Sequence, residues 1–252
     1  MKTTQLFFFI FLLINGIAYG DTKMETQTTP PIQEQTDPRL KEFPNLHIVQ
    51  HPLIGHKLTL ARNKTTGTHA FRELLSEIAL LIGYEVTKSL PTQNISIKTP
   101  IATTVGTMIQ DKSIVIVPIL RAGLSMANGL HSLIPTADFA HIGLARDPNT
   151  KKPIEYLFKV PAIKNQTFIV VDPMLATGGS AAYAVNRLIK AGVPSKNILF
   201  MALVVVPEGM RAFQKEHPNI PVFAASLDDH LNDHAYIIPG LGDAGDRLYG
   251  TE

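Results

Sequence analysis

Asp172 closes a β-branched and aromatic run, Phe168 to Val171, and Thr177, Gly178, Gly179 and Ser180 follow it before a helical pattern starts. Acid, glycine-rich turn and helix start, in that order, can cradle a phosphate. Glycines let backbone N–H groups close on an anion, and a helix N-terminus adds unpaired donors and a favourable dipole. A carboxylate at the carboxyl end of a strand lies where ligands of open α/β sheets bind. Beside a phosphate it suits a sugar phosphate, because it can accept hydrogen bonds from ribose hydroxyls. An ordinary βα turn with a capping glycine would also produce a bare Thr-Gly-Gly.

Two arginines occupy comparable positions. Arg121 ends the apolar run Val117-Pro118-Ile119-Leu120, and Arg146 follows Gly143-Leu144-Ala145. A guanidinium donates two parallel hydrogen bonds and keeps its charge, which suits a pyrophosphate. A third block, Tyr236 to Arg247, contains a literal G-x-G-x-x-G from Gly240 to Gly245. A dinucleotide fingerprint needs a following helix and an acid about twenty residues on, and too little sequence lies beyond Gly245 to supply them. No G-x-x-x-x-G-K-[ST] occurs, which argues against a P-loop kinase.

Other clusters read as structural. His51 and His56 invite a metal, yet no helical pattern puts them on one face, so they are taken as a solvated or structural pair. Asp228, Asp229 and Asp233 lack EF-hand spacing and are read as solvated loop charge. Absence of cysteine excludes disulfides, cysteine–metal sites and thiol nucleophiles. A formal charge of +2 without a long basic run gives no footprint for nucleic acid.

The elements that must position these residues follow from periodicity. Phe71, Leu74, Leu75, Ile78, Leu81, Ile82 and Val86 predict a helix over Thr68–Leu90, ahead of Pro91. Strands are predicted at Ser113–Leu120, Phe139–Leu144, Phe168–Val171, Ile198–Val206 and Val222–Leu227. Helices are predicted at Gly123–Ile134, from the glycine turn to Gly192 with Ala184, Val185, Leu188 and Ile189 on one face, and at Glu208–Glu216. Alternating strands and helices imply α/β architecture: a doubly wound, mainly parallel sheet with flanking helices.

The N-terminus differs in character. Lys2, the apolar run Leu6 to Ile14 and small residues before Asp21 predict a signal peptide over 1–20, too short to span a membrane comfortably. An uncleaved anchor or a mis-called start codon is the alternative. Residues 21–45, rich in Thr, Gln, Pro and Glu, read as a disordered linker, and 46–252 as the globular domain. Export, to a periplasm or the medium, is the expected destination. The sequons at Asn63, Asn94 and Asn165 matter only in a eukaryotic secretory pathway.

Asp172-Pro173-Met174-Leu175-Ala176-Thr177-Gly178-Gly179-Ser180 resembles the phosphoribosyl-pyrophosphate (PRPP) loop of the uracil phosphoribosyltransferase family, although many relatives carry two adjacent acids where Pro173 follows Asp172. The Arg121 segment, the 236–247 block, His51-Pro52-Leu53 with His56-Lys57-Leu58, and Tyr156 to Pro161 are similar to that family too. The resemblance implies a type I phosphoribosyltransferase core plus a small hood, in which Tyr156 and Lys159 are packing and charge. It implies pyrimidine salvage: uracil and PRPP give UMP and pyrophosphate. Arg121, Arg146 and Asp172 would be catalytic. Residues 172–180 and Asp243, with both arginines, would bind PRPP, and Ile237, Gly242, Asp243 and Ala244 would bind uracil. Mg²⁺ would be the cofactor, bound mainly through PRPP rather than by a protein site. A GTP activator, a homo-oligomer and a cytoplasmic location are also implied. The sequence departs from the family pattern at Asn128, Ala145, His230 and Ala235. A non-catalytic exported uracil or PRPP sensor is the alternative function.

Overall fold

A computed structural model describes residues 37–109, 114–146 and 153–251. The expected leader over 1–20, and the expected linker as far as residue 36, lie outside them. Strand β1 (Leu46–Ile48) leads into helix α1 (Pro52–Arg62), which sequence periodicity does not announce. Its start is explained locally: Pro52 takes a position where a missing N–H costs nothing, and His51 Nδ1 accepts from Leu53 N at 3.1 Å. Helix α2 (Thr68–Val86) buries Phe71, Leu75, Ile78, Ile82 and Val86 as predicted. It ends earlier than Leu90, in a 3₁₀ turn over Thr87–Ser89. Strands β2 (Thr92–Lys98) and β3 (Thr103–Ile109) form an antiparallel ribbon apart from the main sheet.

The core starts with β4 (Ile114–Leu120) and α3 (Gly123–Leu133), then β5 (Asp138–Phe139), β6 (His141–Arg146) and β7 (Pro153–Lys159). Next come β8 (Thr167–Val171), β9 (Met174–Leu175), α4 (Gly179–Lys190), β10 (Ile198–Met201), β11 (Val204–Val205) and α5 (Pro207–Glu216). The chain closes with β12 (Val222–Ala224), β13 (Ser226–Leu227), β14 (His230–Leu231), β15 (Ile237–Ile238) and α6 (Ala244–Tyr249). The main sheet has the order β1-β12-β10-β8-β4-β6-β7, with β5 also on β4. Its pairings are parallel except for β6 with β7.

Alternation along the central strands divides the core between the two faces of the sheet. Val115 and Val117 of β4 and Phe168 and Val170 of β8 pack with Ala184, Val185 and Leu188 of α4 and with Met210 and Phe213 of α5. Ile114, Ile116, Ile169 and Val171 pack instead with α1, α2, α3 and α6. Helices therefore cover both sides, the doubly wound arrangement expected. The chain leaves β4 toward β6 and later returns through β8 toward β10 and β12, so the direction of winding changes between β4 and β8. In open sheets that change opens a crevice at the carboxyl ends of the strands. Arg121 and Asp172 stand at those ends.

Four further expectations need correction. Ile198–Val206 is not one strand, nor is Val222–Leu227. Leu203 N and Val204 N both donate to the Pro173 carbonyl, at 3.0 and 3.1 Å, and Ala225 N and Ser226 N both donate to Leu203 O. Each pair of donors on one acceptor marks an extra residue, so the strands bulge together and resume as a small sheet, β13-β11-β9. Ile189 is 38% exposed, off the buried face of α4. The packed unit begins at Pro38, not 46. Phe43 is buried, and Asn45 Nδ2 donates to Ile220 O at 3.0 Å, so the last part of the compositional linker belongs to the fold.

Candidate active site

The Asp172 loop surrounds a cavity of about 140 Å³ lined by Asp172, Met174, Leu175, Ala176, Thr177, Gly178, Ser180 and Ala181. Pro173 contributes from behind, through the carbonyl that accepts the bulged strand. Gly178 caps α4 at φ +78° and makes no side-chain cap bond, leaving the first N–H groups of α4 to an external acceptor. Glycine is required at 178: besides the left-handed φ, a Cβ would lie 2.8 Å from the Gly209 carbonyl oxygen. Helix α5 thus packs directly beneath the loop. Phosphate-sized space, hydroxyls of Thr177 and Ser180, and a helix N-terminus converge with one carboxylate. Asp172 supplies an oxygen donor of the kind Mg²⁺ takes when substrate phosphates provide the rest of its shell. Among the described residues no group of three or more His, Asp or Glu could hold a metal by itself.

Arg121 is exposed at the end of β4, after a cis peptide bond from Leu120. Its carbonyl accepts from the Tyr249 hydroxyl at 2.9 Å, and its guanidinium lies 5.4 Å from the Tyr249 ring centre. Helix α6, which begins within the third sequence block, therefore packs against Arg121 at the end of β4. Burial holds the Tyr249 hydroxyl above its ordinary range, against the pull of the Arg121 and Arg72 charges. Arg146 ends β6 opposite Pro153. Tyr156 and Lys159 lie exposed on β7, whose Glu155 is tied to Arg187 of α4 at 3.0 Å.

The third block forms a hairpin, a turn and a cap. Ile237 is buried in β15 opposite Leu231 of β14, and the Ile238–Pro239 bond is cis. Gly240 and Gly242 have φ +63° and +72°. Asp243 caps α6 by accepting from Asp246 N at 3.0 Å, and Ala244 is its first residue. Gly242 and Asp243 are exposed, Ile237 and Ala244 buried. Arg247 donates to the carbonyls of Ala61 and Leu241, both at 2.7 Å, and of Asn63 at 2.9 Å. Its burial lowers the guanidinium pKa from its usual range.

Asp228 overturns the solvated-charge reading of its cluster. It is 3% exposed and takes a bidentate pair from Arg62, at 2.6 and 2.7 Å. The Ser226 hydroxyl and Gly240 N–H complete its shell at 2.7 and 2.9 Å. Asp229 is exposed and 3.6 Å from Arg39. Glu208 of α5 accepts from Leu231 N at 3.1 Å, which ties the β14–β15 hairpin to the helix under the loop. No local pattern in the sequence singles out Arg62, Glu208 or Tyr249. For Asp228 the signal existed: like Asp172, it follows a short apolar strand at its carboxyl end. The departures fall on exposed or turn positions. Asn128, Ala145 and His230 are exposed, and Ala235 has φ +63°, a conformation that favours glycine.

A crevice at the winding change of a doubly wound sheet, with an acid-headed anion loop on one strand end and an arginine on the next, defines a sugar-phosphate-handling α/β protein. Comparison with known proteins narrows the class. The sequence model of the family described as uracil phosphoribosyltransferase matches residues 48–251. The uracil phosphoribosyltransferase of Rhodospirillum centenum is 56% identical over 211 residues, covering 84% of this chain and 98% of the relative. That of Streptococcus sanguinis is 55% identical over 208 residues, covering 82% and 99%. A solved structure of an Aquifex aeolicus protein is similar with TM-score 0.77 and 33% identity, over 81% of this chain and 97% of that one. The chain belongs to the uracil phosphoribosyltransferase family.

Proposed function

We propose that the chain transfers the 5-phosphoribosyl group of PRPP to N1 of uracil, giving UMP and pyrophosphate, a pyrimidine-salvage reaction. The observation that carries the reading is the junction of the Arg121 strand end with the Asp172 loop at the β4/β8 crevice. The 5′-phosphate enters the Ala176–Ser180 turn, where the unpaired N–H groups of α4 and the Thr177 and Ser180 hydroxyls meet its oxygens. Asp172 accepts from the ribose hydroxyls and favours positive character as the glycosidic bond lengthens.

Negative charge grows at the same time on the departing pyrophosphate. Arg121 and Arg146 donate to it without losing their own protons, a fixed electrostatic stabilisation. A Mg²⁺ ion, which PRPP itself would mainly hold with Asp172 as the nearby carboxylate, would supply further neutralisation of that charge when bound. Ile237, Gly242 and Ala244 offer backbone groups to the alternating C=O and N–H edge of uracil, and Asp243 faces PRPP. A base with another edge pattern leaves those groups unpaired, which is a strong source of discrimination. Holding N1 against the anomeric carbon supplies much of the rate, and the N1 proton passes to solvent as the N1–C1′ bond forms and the bond to pyrophosphate breaks.

Finer parts of the proposal have separate support. Export rests on the composition of 1–20, and sequencing the mature N-terminus checks it. A homo-oligomer is favoured by the β2–β3 ribbon, where Ile101 is 95% and Val105 67% exposed. GTP activation rests on the resemblance, and titrating GTP into the assay checks it. Among the described residues no helix is long and apolar enough to cross a membrane.

Calorimetry and product analysis on one preparation test the reaction. Uracil and PRPP with Mg²⁺ should yield UMP and pyrophosphate in equal amounts. Tight binding of both ligands without product would replace catalysis by the sensor reading.

A further inference from the structure

We propose that the buried Arg62–Asp228 pair is the positioning device of the base-reading segment, fixing Gly240 so that Gly242 and Ala244 meet the base in one register. The inference rests on the assignment of uracil to residues 237–244. Gly240 has both its backbone groups captured: its N–H donates to Asp228 Oδ2 at 2.9 Å, and its carbonyl accepts from Arg62 Nη1 at 2.8 Å. The two side chains hold each other, Nη1 to Oδ2 at 2.7 Å and Nη2 to Oδ1 at 2.6 Å. Ser226 Oγ donates to Oδ1 at 2.7 Å and receives Nη2 at 3.2 Å, so both Nη groups and both carboxylate oxygens are engaged.

The turn being held is tight. Gly240 has φ +63°, and a Cβ there would lie 2.1 Å from the Ile237 carbonyl oxygen. One residue on, Leu241 O is pinned by Arg247, which also grips α1 at Ala61 and Asn63. Gly242 and Asp243, both exposed, follow directly where this clamping stops. The Asp228 side chain is 1% and that of Arg62 22% exposed. A buried ion pair is a poor device for stability alone, because apolar side chains of matching volume often serve as well or better. What this pair supplies is direction: two rigid, planar groups fix both faces of one peptide turn.

The test is steady-state kinetics on the full chain, with uracil and PRPP varied separately. Asp228→Asn should raise the uracil KM by about tenfold or more while the PRPP KM stays within about twofold. Arg62→Lys, which keeps the charge and loses the fork, should fall between wild type and Asp228→Asn. Because Asp228→Asn leaves Arg62 unpaired and can impair folding, the double variant Arg62→Met with Asp228→Leu removes both charges together. It should fold and still show the raised uracil KM. A folded double variant with an unchanged uracil KM, or with both KM values raised in step, overturns the proposal in favour of a purely structural pair. Gly242→Val separates the premises. If it raises the uracil KM and the Asp228 variants do not, only the positioning claim falls. If it leaves the uracil KM unchanged, the base assignment falls and the positioning claim with it.

Discussion

Arg121 and Tyr249 carry the account at the scale of single residues. Arg121 is exposed at the carboxyl end of β4, with its guanidinium 5.4 Å from the Tyr249 ring centre. If it stabilises the departing pyrophosphate, Arg121→Ala should lower kcat by about 10² to 10³, the cost typical of losing one fixed donor in the transition state. Circular dichroism should be unchanged, since Arg121 is exposed. A folded variant with wild-type turnover would remove it from the mechanism. Tyr249→Phe keeps the ring beneath the guanidinium and deletes the 2.9 Å bond to Arg121 O. The expected cost is about 1 kcal/mol, read from chemical denaturation at pH 8. The pH dependence has a definite sign. Burial raises the Tyr249 pKa above its ordinary 10.0. The folded state then holds the phenolic proton more tightly than the unfolded state. Its contribution is complete below the unfolded pKa and is lost as pH climbs through the folded one. Stability of the wild type should therefore fall more steeply above pH 10 than that of Tyr249→Phe, and parallel curves would refute the assignment.

At the scale of elements, the phosphate loop is shaped by the helix beneath it. Gly209 of α5 approaches so closely that a Cβ would lie 2.4 Å from both the Leu175 and Ala176 carbonyl oxygens. Gly209→Ala should push the loop outward, costing about 1–3 kcal/mol of stability and raising the PRPP KM more than the uracil KM. Equal changes in the two KM values would mean that α5 supports the whole site and not the loop in particular. The same scale explains what could be read in advance. Phe168–Val171, Asp172 and the glycine turn were legible because strand, acid and helix start are consecutive in sequence. The α2 stripe was legible because its period spans several turns. The break after Met201 was not, because it depends on a carbonyl of Pro173 in the neighbouring strand. Helix α1 was missed because its apolar stripe is weak and its definition comes from His51 and Pro52. The ion pair between Arg62 and Asp228 joins residues far apart in sequence, and no local pattern announces such a partner.

For the whole molecule, the order of strands does what no single motif can. The sheet winds away from β4 in one direction and from β8 in the other, which brings Arg121 and Asp172 to one crevice. The C-terminal segment is then tied to it through Tyr249 and through Asp228. The functional residues thus come from three separated stretches of the chain, and the third block means little without the fold that returns it to the first two. The central claim is that this crevice joins a phosphoribosyl group to uracil in particular. Nucleotide formation from PRPP and Mg²⁺, measured side by side with uracil, cytosine and adenine, tests it most directly. The account predicts UMP and pyrophosphate in equal amounts from uracil and no nucleotide from the other two bases. A folded, PRPP-binding protein that makes no UMP, or that makes nucleotide from cytosine or adenine at a comparable rate, would contradict it.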